Sequence, residues 1–181
     1  MSGHVAIFAA MKVNRYFVID FDSTFTKVEA FDVLADISLE GHPEKEVRKK
    51  RIAEITNKGM DGSLSFRESL EQRLQLLSPE KKHLPKLIER LRSLVSESFK
   101  RNKEFFATHA ANIYIVSNGF REFIEPAVTE FGIKPENILA NEFRFDEQGR
   151  VTGFDTENPL SANNGKVEQL KRLNLPGDVY V

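Results

Sequence analysis

Tyr16-Phe17-Val18-Ile19-Asp20-Phe21-Asp22-Ser23-Thr24 is the stretch on which the reading of this chain turns. Tyr16–Asp20 (YFVID) is a continuous apolar, β-branched run that closes on a carboxylate. Continuity without alternation is what a strand covered on both faces requires. Asn112–Ser117 (NIYIVS) repeats the pattern and closes on a hydroxyl, and Asp178–Val181 (DVYV) begins a third such run. Between the first two runs the periodicity is helical. Leu84, Leu87, Ile88, Leu91, Leu94 and Val95 fall on one helix face, as do Phe66, Leu70, Leu74 and Leu77. Ser65 with Glu68 fits a capping box, and Ser78-Pro79 reads as an N-cap followed by proline at the first helical position. Beyond the second run, Phe120, Phe123, Ile124, Ala127, Val128 and Phe131 predict an amphipathic helix ending at Gly132, kinked at Pro126. Asn141–Phe154 predicts a hairpin, and a helix from about Lys166 to Leu173 leads to the last strand. The order predicts an α/β fold with a mostly parallel sheet and a helical insert after the first strand. In open parallel sheets ligands bind beyond the C-terminal strand ends, where both buried runs deliver their polar residues.

Composition narrows the function without choosing it. The chain has 181 residues, 40% apolar and 29% charged, with a formal net charge of −1. That balance gives no reason to expect nucleic acid or a membrane surface as partner. No cysteine is present, so thiolate catalysis, thiolate metal sites and disulfides are excluded. His4, His42, His83 and His109 do not stand at metal-ligand spacing and read as surface or helix-end residues. No apolar run reaches the roughly 18 residues that a membrane helix needs. Val5–Met11 is a poor signal peptide, with no Lys or Arg before it. Residues 1–10 read as a dispensable extension, and the expected location is the cytoplasm.

Asp20 and Asp22 carry the strongest chemical signal. Two carboxylates one residue apart at a strand end can divide the work. The first can attack phosphorus as an oxygen nucleophile, and the second can protonate a leaving alkoxide and later deprotonate water. Together they suit Mg²⁺, a hard ion that takes oxygen ligands. The same residues also suit an acidic turn after a strand.

Asp20–Thr24 resembles the first motif of the haloacid dehalogenase superfamily. Ile115-Val116-Ser117-Asn118-Gly119 resembles its second motif, and Lys166 in Asn163-Asn164-Gly165-Lys166 its third. The resemblance implies a Rossmann-like core over 1–27 and 104–181, with a helical-bundle cap over 28–103 between motifs one and two. It implies Mg²⁺ as cofactor, held by Asp20 and Asp22. Thr24, Ser117, Asn118, Gly119 and Lys166 would meet the phosphate. The insert resembles that of phosphoserine phosphatases, which carry a Glu soon after motif one and a Met-x-Gly segment followed by Phe and then Arg. Here those are Glu29, Met60-Asp61-Gly62, Phe66 and Arg73. By resemblance, Glu29 meets a substrate ammonium, Arg73 a carboxylate, and Met60 and Phe66 close the pocket. The implied reaction is hydrolysis of O-phosphoserine in serine biosynthesis.

Two departures accompany the resemblance. The family often has a second Gly where this chain has Asn118, a residue that tolerates left-handed backbone angles. A fourth motif, an acidic pair in a Gly-Asp-x-x-x-Asp setting, is expected after Val181. Asp178 follows Gly177 but precedes its strand, and so belongs to the sheet end opposite the site. The expectation is therefore an incomplete core with little Mg²⁺-dependent activity alone. Alternatives are another small-molecule phosphatase or phosphotransferase of the superfamily, or an inactive or regulatory segment of a longer, fused protein.

Overall fold

The computed structural model describes residues 14–181, so His4, Val5–Met11 and the 1–10 extension lie outside the described residues. The chain runs through β1 (Arg15–Ile19) into helices α1 (Ala30–Ser38), α2 (Lys45–Met60), α3 (Phe66–Leu77), α4 (Leu84–Ser93), α5 (Glu97–Arg101) and α6 (Lys103–His109). It continues with β2 (Ile113–Phe120), α7 (Arg121–Val128), β3 (Ile138–Asn141), β4 (Phe143–Phe145), β5 (Val151–Phe154), α8 (Gly165–Leu173) and β6 (Asp178–Tyr180). Four strands form one sheet in the order β3-β2-β1-β6, with every neighbouring pair parallel. This is the parallel α/β sheet that the apolar runs predict, and it agrees with the Rossmann-like core that the resemblance implies. β4 and β5 make the expected antiparallel hairpin.

Parallel pairing explains why the two polar strand ends meet. Ile19 lies opposite Ile115, so Asp20 and Ser117 leave the sheet at the same edge. Asp178 pairs with Arg15, at the start of β1 and hence at the opposite edge, as its place before the strand requires. The sheet is buried by its own side chains: Ile113, Ile115 and Ile138 are fully covered. A run of aromatic rings continues that core into the insert. Phe120 stacks on Phe143 at 3.8 Å and on Phe31 of α1 at 5.8 Å, and Phe21 stacks on Phe25 at 5.8 Å. Leu34, Leu70, Leu77, Leu87 and Leu91 extend the same apolar cluster through the helices.

The beginning and end of the helical segment are bound together. Ser96 N–H donates to the Phe25 carbonyl and Lys27 N–H to the Leu94 carbonyl, both at 2.9 Å. The hairpin joins the helices from another side, with Lys81 N–H bonded to the Gly149 carbonyl at 2.7 Å and Val151 N–H to the Pro79 carbonyl at 3.0 Å.

Three local expectations need correction. Ser78 does not start a helix: it caps the C-terminus of α3 in a left-handed conformation, φ 45°, and its N–H bonds back to Leu74. The segment after it takes a different course because Pro79 and Lys81 are engaged by the hairpin, and α4 starts later, with Pro85 in its first turn. β2 runs past Ser117 to Phe120, with a register shift against β3 between Val116 and Phe120. Asn118 is therefore a strand residue and does not use the left-handed angles available to asparagine. The helix after β2 stays α-helical only to Val128. It tightens into a 3₁₀ turn over Thr129–Phe131 before Gly132 ends it at φ 78°.

Candidate active site

Asp20 stands at the end of β1, where the chain turns sharply. Phe25 N–H returns to the Asp20 carbonyl at 3.3 Å and Thr26 N–H to the Phe21 carbonyl at 3.0 Å. Phe21 and Phe25 are fully buried and pin the turn from below. Ser23 completes it at φ 53°, a conformation a side chain adopts only where its surroundings over-determine it. The apolar alternation at positions 21 and 25 thus anchors a loop whose carboxylates face the sheet edge.

Each carboxylate is held by a backbone donor. Asp20 Oδ1 accepts from the Phe21 N–H at 2.7 Å, and its Oδ2 pairs with Lys166 Nζ at 2.6 Å. Asp22 Oδ1 accepts from the Ala30 N–H at 2.7 Å, satisfying an orphan donor in the first turn of α1. Burial raises the Asp22 carboxyl to about 7; Glu29 and Asp20 add to the rise, and the Ala30 bond and Lys166 oppose it. A carboxyl near neutrality can give a proton and take one back, as an acid–base group must.

Lys166 reaches Asp20 because the turn before α8 is tightly built. Asn164 is left-handed at φ 58°, and a Cβ on Gly165 would lie 2.0 Å from the Pro159 carbonyl oxygen. Only glycine permits that approach. Ser117 is buried, and its Oγ accepts from the Gly119 N–H at 2.9 Å. Gly119 itself lies close under the site, with Ser117 Oγ and Asp22 Oδ2 3.2 and 3.4 Å from where its Cβ would be. The Asn118 amide is turned aside, donating to the Leu160 carbonyl at 2.7 Å.

A cavity of about 270 Å³ gathers these groups with the insert: Asp20, Asp22, Ser117, Asn118 and Lys166 line it together with Glu29, Met60, Phe66 and Arg73. A side chamber of about 100 Å³ adds Phe31 and Gly119. Ser23 Oγ donates to Glu29 Oε1 at 2.5 Å. The Arg73 guanidinium lies 5.0 Å over the Phe31 ring, and its Nε donates to the Ser69 carbonyl at 3.3 Å. Burial lowers the Arg73 pKa, while Glu29, Asp22 and Asp32 oppose the change. A larger hollow of about 770 Å³ lies between α3 and the β4–β5 hairpin. It contains none of the predicted residues, and arginines on its wall are already paired, Arg150 with Asp146 at 2.7 Å and Arg144 with Asp155 at 3.2 Å.

Two predicted residues do not sit as expected. Thr24 is exposed and does not line the cavity; the left-handed Ser23 turns it away, and its carbonyl accepts from Ser96 Oγ at 2.8 Å. Met60 lines the rim but is 82% exposed, so it does not close the cavity. It occupies the last position of α2, just before the Asp61-Gly62 turn. Thr56, Gly59 and Ser69 also line the cavity and were not singled out from the sequence. Helical spacing could have found them: Thr56 is one turn before Met60, and Ser69 one turn before Arg73.

The family model for haloacid dehalogenase-like hydrolases matches residues 17–180. The chain belongs to this family. Among haloacid dehalogenase-like proteins it is 30% identical over 151 residues to the phosphoserine phosphatase of Drosophila melanogaster, covering 83% of this chain and 53% of the relative. It is 30% identical over 154 residues to a chloroplastic phosphoserine phosphatase of Arabidopsis thaliana, covering 85% and 50%. The chain spans about half the length of these curated relatives. A crystal structure of a phosphoserine phosphohydrolase-like protein from Francisella tularensis superposes with a TM-score of 0.75 at 28% identity, covering 92% of this chain and 76% of that one.

Proposed function

We propose that this haloacid dehalogenase-like protein is a Mg²⁺-dependent phosphomonoesterase that hydrolyses O-phosphoserine to serine and phosphate. The observation that carries the proposal is the sharing of one cavity by Asp20, Asp22 and Lys166 with Glu29 and Arg73. An anion and a cation in the same cavity as the nucleophile suit a substrate with an ammonium, a carboxylate and a phosphate. In this reading residues 28–103 act as the cap. Arg73 receives the carboxylate through its planar fork and Glu29 the ammonium, with Phe66 as apolar wall.

The chemistry follows from the placement. Asp20 attacks the phosphorus while Asp22 protonates the departing serine oxygen, leaving an aspartyl-phosphate on Asp20. Asp22, now ionised, takes a proton from the water that attacks this phosphate, and Asp20 is released. Ser117, the backbone N–H groups near it and Lys166 meet the charge on the phosphoryl oxygens.

The groups beside Asp20 that can ligate a cation are oxygens, since the neighbouring Lys166 ammonium is itself a cation, and oxygens suit a hard ion. Mg²⁺ commonly uses one or two carboxylates together with substrate phosphate and water. Among the described residues no cluster of three His, Cys, Asp or Glu side chains is present. The Asp20 carboxylate and the Asp22 carbonyl are the groups that would hold it. Mg²⁺ held there would supply positive charge that offsets the repulsion of the anionic nucleophile and the anionic phosphate.

Among the described residues no helix is long and apolar enough to cross a membrane. Serine biosynthesis in the cytoplasm is the setting we assign to the reaction. The test is phosphate release from O-phosphoserine and from p-nitrophenyl phosphate, with and without Mg²⁺, by this chain and by a version extended with any native downstream residues; turnover comparisons of variants use whichever of the two is active. Preference for O-phosphoserine that depends on Mg²⁺ supports the reading. Equal turnover of both esters reduces it to a general phosphomonoesterase.

A further inference from the structure

The first turn of α3 is fastened to the segment that delivers Lys166 by bonds the proposed chemistry does not use. The first N–H groups of a helix have no acceptor within it. Ser65 Oγ takes the Glu68 N–H, at 3.2 Å, and leaves the Phe66 N–H over. That group donates to Asn163 Oδ1 at 2.7 Å, from a residue far away in the chain. The next residue, Arg67, uses one guanidinium nitrogen on two acceptors of the same segment, the Thr156 carbonyl at 2.8 Å and Ser161 Oγ at 3.3 Å.

The segment that receives these bonds is itself anchored to the sheet. Ser161 is fully buried, and its Oγ donates to the Asn158 carbonyl at 2.8 Å. The Asn158 amide donates to the Ala140 carbonyl of β3 at 2.8 Å. The Leu160 carbonyl accepts from Asn118 at 2.7 Å and from Asn141 at 3.2 Å, both at the ends of sheet strands. Then follow Asn164, the close-packed Gly165 and Lys166, which pairs with Asp20. A rigid arm from the sheet edge therefore carries Lys166 at one end and grips α3 just before it.

The gripped helix bears Phe66 and Arg73, two turns apart on the face toward the cavity. The rest of the helix is held by burial of Leu70, Leu74 and Leu77, a non-directional attraction, and by bonds to α2, Ser69 Oγ to the Ile55 carbonyl and an Arg48 guanidinium nitrogen to the Leu76 carbonyl, each at 3.2 Å. Hydrogen bonds set the position of the first turn along and above the arm. We propose that Asn163 and Arg67 are positioning residues: they set the height of the Phe66–Arg73 face over the Asp20–Lys166 pair and so tune discrimination between phosphate esters. The proposal rests on the reading that Arg73 meets a second charged group of the substrate. Neither residue lines the cavity in which that substrate would sit.

The test uses Asn163→Ala, Asn163→Asp, Arg67→Ala and Arg67→Lys. Asp retains an oxygen acceptor for the Phe66 N–H and Ala does not. A lysine ammonium keeps the charge of Arg67 but lacks the planar fork. Loss of one such hydrogen bond corresponds to about a 5- to 10-fold change in an equilibrium. The expected result is that Asn163→Ala and Arg67→Ala each raise the KM for O-phosphoserine by about that factor, with the KM for p-nitrophenyl phosphate within about twofold of wild type. Asn163→Asp restores the wild-type ratio, and Arg67→Lys falls between. Hydrogen exchange of the Phe66 amide quickens in Asn163→Ala and not in Asn163→Asp. An equal rise in KM for both esters, or unchanged values in folded variants, overturns the positioning role. Unchanged Phe66 exchange in Asn163→Ala overturns the latch for any substrate. A wild-type protein without preference for O-phosphoserine counts against the proposed function instead, and that result is read before any variant is made.

Discussion

Asp22→Asn should make the protein more stable above neutral pH and nearly inactive, and the size of the gain can be worked from the site. Burial lifts the Asp22 carboxyl from 3.8 to about 7 in the folded chain. The folded state therefore keeps a proton that the unfolded chain releases between those two values. Stability falls as pH rises through that window, and the loss is complete above it. About three units at 1.36 kcal/mol each give an upper bound of roughly 4 kcal/mol, of which relaxation of the site leaves about half. Asparagine carries no charge to desolvate and still offers an Oδ1 to the Ala30 N–H, so the bond at 2.7 Å survives. The assay is thermal melting of both proteins in metal-free buffer from pH 4 to pH 8. The variant should match the wild type near pH 4 and exceed it at pH 8 by about 2–4 kcal/mol, or on the order of 5–10 °C for a chain of this size. A constant difference across the range would refute the reasoning, because it would owe nothing to ionisation. A variant less stable at pH 8 would mean that the Asp22 charge is compensated in the fold. Turnover should fall by about 10²- to 10⁴-fold, the usual worth of acid–base catalysis.

The other predictions concern single residues. Asp20→Asn should abolish phosphate release while leaving the circular dichroism spectrum unchanged, since it removes the attacking oxygen and not a core group; near-normal turnover would dismiss Asp20 as nucleophile. Arg73→Lys should cost O-phosphoserine about 1.5–3 kcal/mol in kcat/KM and p-nitrophenyl phosphate much less, because an ammonium cannot reproduce a planar two-point grip. Equal losses would assign Arg73 a structural role over Phe31. Gly165→Ala should lower stability by about 1–3 kcal/mol by forcing a Cβ onto the Pro159 carbonyl, and turnover should drop with it as Lys166 shifts. A melting curve identical to wild type would show that the Pro159 turn yields freely.

The catalytic side of the site was legible because strand physics is local. A buried run must end where the chain meets water, and a parallel sheet puts successive ends on one edge. Reading YFVID and NIYIVS as such runs is enough to bring Asp20 and Ser117 together, and the pairing of Ile19 with Ile115 does so. Lys166 lies outside that logic and is legible only through the resemblance of Asn163–Lys166 to the third motif, because α8 follows the hairpin and not a buried strand. Thr24 escaped it. Its orientation depends on Ser23 adopting a left-handed angle and on Ser96, a residue from the far end of the insert, taking its carbonyl. Ser78 escaped it too, since a Ser-Pro pair is read as a helix start only if nothing else claims the chain, and here the hairpin does.

The insert was legible as helices and much less so as a wall. Spacing assigns Phe66, Leu70 and Leu74 to one face, but their burial alone does not say how far that face stands from Asp20. Apolar burial is non-directional, whereas a donor and an acceptor fix a distance and an angle. The distance is carried by groups with no periodicity at all: an Asn163 amide on a helix-start N–H, an Arg67 fork on a carbonyl and a hydroxyl, and a glycine pressed on a proline carbonyl. Each partner pair is remote in sequence, and each residue by itself suits an ordinary loop or surface position. The same holds for Asp22. Its place beside Asp20 is written in the motif, but its raised pKa depends first on burial and then on Glu29, a neighbour whose direction is set by the Ser23 bond. Residue types therefore predict which reaction the site can attempt. Under the proposed positioning role, the long-range polar contacts of Asn163 and Arg67 set how closely a substrate with a second charged end is held against Asp20.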